Sequence, residues 1–151
     1  MTVVAKPESG PAFIRSPRRT DQNYLAKTWH AQMADVYRDY SRGDRWGQAG
    51  QHVDAVLDRD DTRALIRHAA GDLDAILGWV VYALGPGVPL VHFVYTRKEH
   101  RGKGYATALL TACGVTRESA CVYTCYGPST RVMLGAYPHA VHLPLKEFLA
   151  P

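Results

Sequence analysis

Between Arg97 and Ala106 the chain reads Arg-Lys-Glu-His-Arg-Gly-Lys-Gly-Tyr-Ala, which places four cations, one acid and two glycines within ten positions. Glycines at 102 and 104 let the backbone approach a ligand closely. A helix that opens here leaves N–H groups without intrahelical partners. Together these features suit an anion, above all phosphate. The turn is not a P-loop, because Lys103 is followed by Gly104 instead of Ser or Thr and the glycines lie too close together. Nor is it a dinucleotide fingerprint, since no third glycine follows Gly104 at three residues and no acid waits at the expected distance. Three readings stay open for so basic a turn: a cofactor with several phosphates, a nucleic-acid backbone, or a solvated loop with no ligand.

The flanking segments are those that would hold such a turn in place. Leu90 to Thr96 is a β-branched and aromatic run with no helix period, whereas Ala106, Leu109, Leu110 and Cys113 recur at helical spacing. Strand, turn and helix are therefore expected in that order, the helix running from Gly104 to Cys113. Upstream, Arg63 to Ala69 and Ala75 to Ala83 read as two more strands, and turn chemistry at Gly71-Asp72 and Gly85-Pro86-Gly87 permits an antiparallel meander. Leu25, Trp29, Met33, Val36, Tyr37 and Tyr40 mark an amphipathic helix over residues 21–40, capped by Thr20 or Asp21. A second helix is expected from Gln48 to Leu57. Ala12 to Ile14 can form a short first strand, Ala120 to Tyr126 a fifth, and His139 to Leu149 the last strand or strands. Only a short helix fits between Pro128 and Pro138. Residues 1–10 read as a loose arm, and residues 11–151 as a single domain.

Composition narrows the class. A length of 151 residues, 46% hydrophobic and 21% charged, describes one ordinary globular domain. The apolar run from Ala75 to Leu84 is interrupted by Gly78 and is too short to span a bilayer, so no membrane partner is expected. Val3, Val4 and Ala5 lead directly to Lys6 without the apolar segment of a secretory leader, and the expected location is the cytoplasm. Residues 1–75 are electrically neutral, so the whole net charge of +4 belongs to the half that carries the turn. Cys113, Cys121 and Cys125 form no C-x-x-C pair and read as reduced thiols. Cys121 and Cys125, four apart on a strand, would face the same way. Joined with His139 and His142 they match no zinc spacing, and no metal is expected.

In this setting the turn resembles motif A of the GCN5-related N-acetyltransferases, whose pattern is Arg or Gln, any two, Gly, any one, Gly or Ala. Here Arg101, Gly104 and Ala106 carry it. Leu77-Gly78-Trp79 is similar to the family's third strand, where a glycine often precedes an aromatic. The resemblance implies an α+β, three-layer acyl-CoA N-acyltransferase fold with a mixed, mostly antiparallel sheet flanked by helices. It also implies acetyl-CoA or another acyl-CoA as cofactor. The pantetheine arm would lie along Val94, Tyr95 and Thr96 on a fourth strand that bulges away from the fifth. The diphosphate would rest on Arg101, Gly102, Lys103, Gly104, Tyr105 and Ala106.

A small-molecule or protein amine would accept the acyl group. The family's first helix usually lines the acceptor pocket, which makes Asp21, Trp29 and Tyr37 substrate candidates, with a capping role for Asp21 and core packing for the aromatics as the plainer reading. A backbone N–H near Val94 would stabilise the oxyanion. Bases on offer are His92, Glu99, His139 and His142, with His92 alternating with Phe93 on the central strand. The resemblance implies a helix-borne Tyr as the acid that protonates the departing thiolate; Tyr137 is nearest to it in order and Tyr126, at the fifth strand's end, is second, while the family's fourth-helix Asn has no counterpart here. Asp21 to Trp29 and His92 to Thr96 are also similar to short acetyltransferase-like proteins of bacteriophages, some of which, the Mom-type proteins, modify DNA bases. Nucleic acid is thus a second possible acceptor, and acyl-CoA binding without catalysis a third reading. Edge strands at the C-terminal end could support a homodimer.

Overall fold

The computed structural model describes residues 13–36, 48–84, 87–125 and 136–151, with backbone alone for 33–36 and 48. The arm expected over residues 1–10, the last turn expected for the first helix and the short helix expected after Pro128 lie outside these residues. In chain order the described elements are β1 (Ile14–Arg15), α1 (Gln22–Val36), α2 (Gln48–Leu57), β2 (Thr62–Ala69), β3 (Asp72–Ala83), β4 (Leu90–Thr96), α3 (Tyr105–Ala112), β5 (Cys121–Tyr123), β6 (Ala140–His142) and α4 (Leu145–Phe148). Single 3₁₀ turns at Arg19–Asp21 and Lys98–His100 precede α1 and α3.

The described strands make one sheet in sequence order, antiparallel from β1 to β4 and parallel from β4 through β5 to β6. The switch to parallel pairing requires a crossover, and α3 supplies it. Helices cover both faces of the sheet. Leu25 and Trp29 of α1 and Val53 and Val56 of α2 pack with Ile66, Trp79, Val81 and Phe93 on one face. Leu109 and Leu110 of α3 pack with Leu65, Val80, Tyr82 and Val91 on the other. This is the three-layer, mostly antiparallel arrangement expected from the sequence.

β4 is irregular at one point. Val81 stands opposite Phe93, yet Tyr82 stands opposite Val91, so His92 is an extra residue in the ladder. Because of this bulge His92 does not alternate with Phe93 as a regular strand would require. The His92 ring meets Trp29 at 6.4 Å and Phe148 at 4.9 Å, on the face where Phe93 also packs.

The bulge also shortens β5. Its pairing with β4 ends at Val91 opposite Tyr123, and Thr124 N donates the last bond to Val91 O at 3.1 Å. Beyond that point the two strands part, and β5 ends at Tyr123, short of the Tyr126 expected. The loss of strand geometry turns Cys125 into the α1-side core while Cys121 stays in the α3-side core. The two thiols therefore face opposite sides of the sheet, a correction to the same-face expectation.

Candidate active site

Among the described residues, the C-terminal half of β4 has one edge without a strand partner. Arg97 N donates to Leu77 O at 2.8 Å and Tyr95 stands opposite Trp79. Strand alternation therefore turns the N–H and C=O groups of Val94 and Thr96 away from β3. On that side no described strand meets them, because β5 has already diverged. Thr96 O accepts a bond from Arg101 Nε at 3.0 Å, which ties the turn to the strand end and leaves Val94 and the Thr96 N–H on the open edge.

The turn follows directly. Gly102 and Gly104 have φ of 80° and 81°, the left-handed region that a side chain strains to adopt, and a Cβ built on either would meet nothing within 4 Å. Open space thus lies above both glycines. Gly104 is the N-cap of α3 and contributes no side-chain cap, and the first helical bond runs from Ala108 N to Gly104 O at 3.0 Å. No hydrogen bond among the described residues engages the N–H groups of Gly102 to Thr107. These groups sit at the positive end of the α3 dipole, so the turn is built to receive an anion. Arg97, Lys98, Arg101 and Lys103 are solvent-exposed or partly so around it. Glu99, the one acid, is held below its usual range first by its own backbone N–H and then by Arg97.

His92 sits beside the bulge, 1% exposed, with Nδ1 2.9 Å from Thr124 Oγ1. Burial pushes its pKa down to about 3, so the ring is neutral at physiological pH. Its Nε2 and the nearby Trp29 Nε1 are both buried without a hydrogen-bond partner. A neutral ring of this kind can donate or accept a hydrogen bond, but it is a poor sink for a proton from an ammonium with a pKa near ~10.4.

Trp29 is fully buried, stacked on Phe93 at 6.0 Å and tilted against Trp79 at 6.1 Å. Asp21 is 9% exposed, and both its carboxylate oxygens are taken: Arg15 donates at 2.7 and 3.3 Å and Arg18 N at 2.7 Å. Burial opposes its charge, yet these bonds prevail and hold the carboxyl below its usual range. Tyr95 turns its ring edge-on to Trp79 at 5.6 Å. Tyr137 is 4% exposed in the α3-side core, across the sheet from His92. His139 is exposed, and His142 stacks on Tyr123 at 5.0 Å. Tyr37 and Tyr126 lie outside the described residues. The structure thus brings together Val94, Tyr95, Thr96 and Arg101 to Ala106 at the end of β4, while Trp29 packs on Phe93, Asp21 is bonded to Arg15 and Arg18, and Tyr137 lies in the α3-side core.

Two features escaped the sequence. The bulge has no local signature in Leu90 to Thr96. Arg67, on β2, reaches the start of α3 through the sheet register, which no spacing within one segment reveals.

The family model described as "Acetyltransferase (GNAT) family" matches residues 25–124, well over half of the chain. No curated protein matches the sequence. Among solved structures, a candidate acetyl transferase from Pyrococcus furiosus superposes with a TM-score of 0.54 at 13% identity, over 66% of this chain and 70% of that one. A GNAT family acetyltransferase from Brucella melitensis, solved with acetyl-CoA, gives 0.48 at 19% identity over 80% and 79%. At such identity the Pyrococcus likeness speaks for the fold alone.

Proposed function

Because this chain belongs to the acetyltransferase (GNAT) family, we propose that it moves an acetyl or similar acyl group from CoA to the amine of a small molecule or an exposed protein segment. The observation that carries this reading is the juxtaposition at the end of β4: a strand edge that meets no described strand leads into a turn whose N–H groups make no hydrogen bond among the described residues and whose two glycines border open space. Both are what a phosphate-bearing thioester cofactor needs, one for the amides of its arm and one for its diphosphate. Acetyl-CoA brings the activated acyl group; the protein has to hold and polarise it.

Val94 and the Thr96 N–H would pair with the arm as a further strand does. The N–H groups from Gly102 to Ala106 would take the diphosphate, with Arg101 and Lys103 adding charge. Val94 N–H, just past the bulge, is aimed along the open edge and would stabilise negative charge gathering on the carbonyl oxygen during attack. His92 acts as a neutral hydrogen-bonding group that holds Thr124 and the bulge in place. The acceptor sheds its ammonium proton to water or to a base other than His92. Tyr126 remains the candidate for returning a proton to the thiolate, since Tyr137 is buried in the α3-side core. The exposed basic turn serves the cofactor's phosphates in this reading, and a DNA acceptor is not needed to explain it.

The test is release of free CoA thiol from acetyl-CoA across a panel of polyamines, aminoglycosides, peptides and oligonucleotides. Release that depends on an amine and is lost in Gly104→Trp supports the reading. Thiol release with no added acceptor above the uncatalysed rate, or none with any, contradicts it.

A further inference from the structure

Arg67 belongs to no part of the glycine turn and has no role in the chemistry above. On β2 it stands in register with Gly78 of β3, and Gly78 faces Thr96, the last residue of β4. The row ends where the turn begins. The Arg67 guanidinium carbon lies 4.5 Å from the centroid of the Tyr105 ring and 5.0 Å from that of Phe13. Its Nη1 donates to His68 O at 2.6 Å, and no carboxylate pairs with it among the described residues.

Tyr105 is the first residue of α3, directly after Gly104, and its ring is also 6.2 Å from His100 at the end of the 3₁₀ turn. One ring therefore joins the loop, the helix start and β2. Phe13, the second ring against Arg67, has a φ of 70°. A non-glycine residue persists in that region only where its surroundings hold it. Its ring is held edge-on to His68 at 5.9 Å as well as against Arg67.

We infer that Arg67 is a positioning residue for cofactor binding: through its cation–π contact with Tyr105 it fixes the start of α3, and with it the N–H groups that would receive the diphosphate. This rests on the reading of Gly102 to Ala106 as the phosphate cradle. A cradle already fixed loses less freedom when the ligand arrives, so its affinity is higher. The cation that contacts both rings is the strut.

The experiment is calorimetric titration of CoA into the full chain and into Arg67→Ala, Arg67→Lys, Tyr105→Leu, Tyr105→Phe and the Arg67→Ala/Tyr105→Leu double variant, with a melting curve for each. Loss of Arg67 or of the Tyr105 ring weakens CoA binding about threefold to tenfold. The double variant is no weaker than the weaker single, because either change removes the same contact. Arg67→Lys and Tyr105→Phe, which keep a cation and a ring, recover most of the affinity. A general packing defect would instead lower melting temperature in step with affinity and show no such rescue. Wild-type affinity in Arg67→Ala, additive losses in the double variant, or no rescue by Lys and Phe overturns the inference. If Arg67→Ala does not fold, the Tyr105→Leu and Tyr105→Phe pair decides alone. A wild-type chain that does not bind CoA overturns the cofactor reading itself, a distinct result.

Discussion

At the scale of single residues, the account turns on which polar groups are free and which are already committed. Asp21 is committed: its carboxylate accepts from Arg15 and from Arg18 N. Its folded-state pKa is depressed, so its contribution to stability is present above the unfolded value near ~3.9 and is lost as pH falls through the folded value. Asp21→Asn leaves the buried Arg15 guanidinium unpaired and should cost on the order of 3 kcal/mol at pH 7, measured by urea unfolding, with the gap to wild type closing in acid. His92 is neutral because it is buried, not because a base is near. The pH profile of kcat/KM should accordingly rise with deprotonation of the acceptor amine, and replacing His92 by Gln should leave no inflection near pH 6.5 to be lost. An inflection there that disappears in His92→Gln would show a titrating imidazole in the reaction. The glycine turn was legible in sequence because phosphate chemistry uses contiguous residues. Asp21 was expected to accept an N–H of α1 as its N-cap, yet its carboxylate bonds backward to Arg18 N and to Arg15, a partner that comes from β1 and that no local spacing reveals.

At the scale of elements, β4 organises the site because it is paired on one side and, for half its length, meets no described strand on the other. Its boundaries, Leu90–Thr96, and those of α2, Gln48–Leu57, are the ones the sequence predicts, since hydrophobic period and flanking turn residues act locally there. The bulge at His92 and the early end of β5 were not legible. Both depend on how β4 fits against two neighbours, and period-2 alternation assumes a regular ladder. Gly78 illustrates the tightness of that fit: a Cβ there would come within 2.6 Å of Tyr95 O. Gly78→Ala must push β3 from β4 and is expected to destabilise the fold by about 1–3 kcal/mol, while also weakening CoA binding because Thr96 and the turn move with the strand. Unchanged stability would mean that the two strands tolerate separation. Trp29, legible as an inward position of α1, lies against Trp79, Phe93 and His92 under the bulge. Trp29→Ala should cost about 3–5 kcal/mol in denaturant unfolding, the loss expected of a core residue and not of a substrate contact.

At the scale of the whole molecule, two helical layers bury both faces of the sheet, and the described residues contain no helix long and apolar enough to cross a membrane. Four of the seven cations of the second half of the chain, Arg97, Lys98, Arg101 and Lys103, follow directly on β4, where they can steer a polyanionic ligand toward the turn. Ligand binding should therefore stabilise the entire domain, by about 2.7 kcal/mol when CoA is present at one hundred times its dissociation constant, and the rise in melting temperature should shrink as salt screens the phosphate contacts. The three-layer order of elements was legible because each segment carried its own period, whereas the two residues that link layers, His92 through Thr124 and Arg67 through Tyr105, were not. The most direct test of the central claim is calorimetric titration of acetyl-CoA and CoA into the wild-type chain and into Gly104→Trp. The account predicts binding of both ligands to the wild type and none to the variant, whose indole occupies the space over the helix start, with folding of both confirmed by circular dichroism. Failure of the wild type to bind either ligand at high micromolar concentration, or undiminished binding by Gly104→Trp, would contradict it.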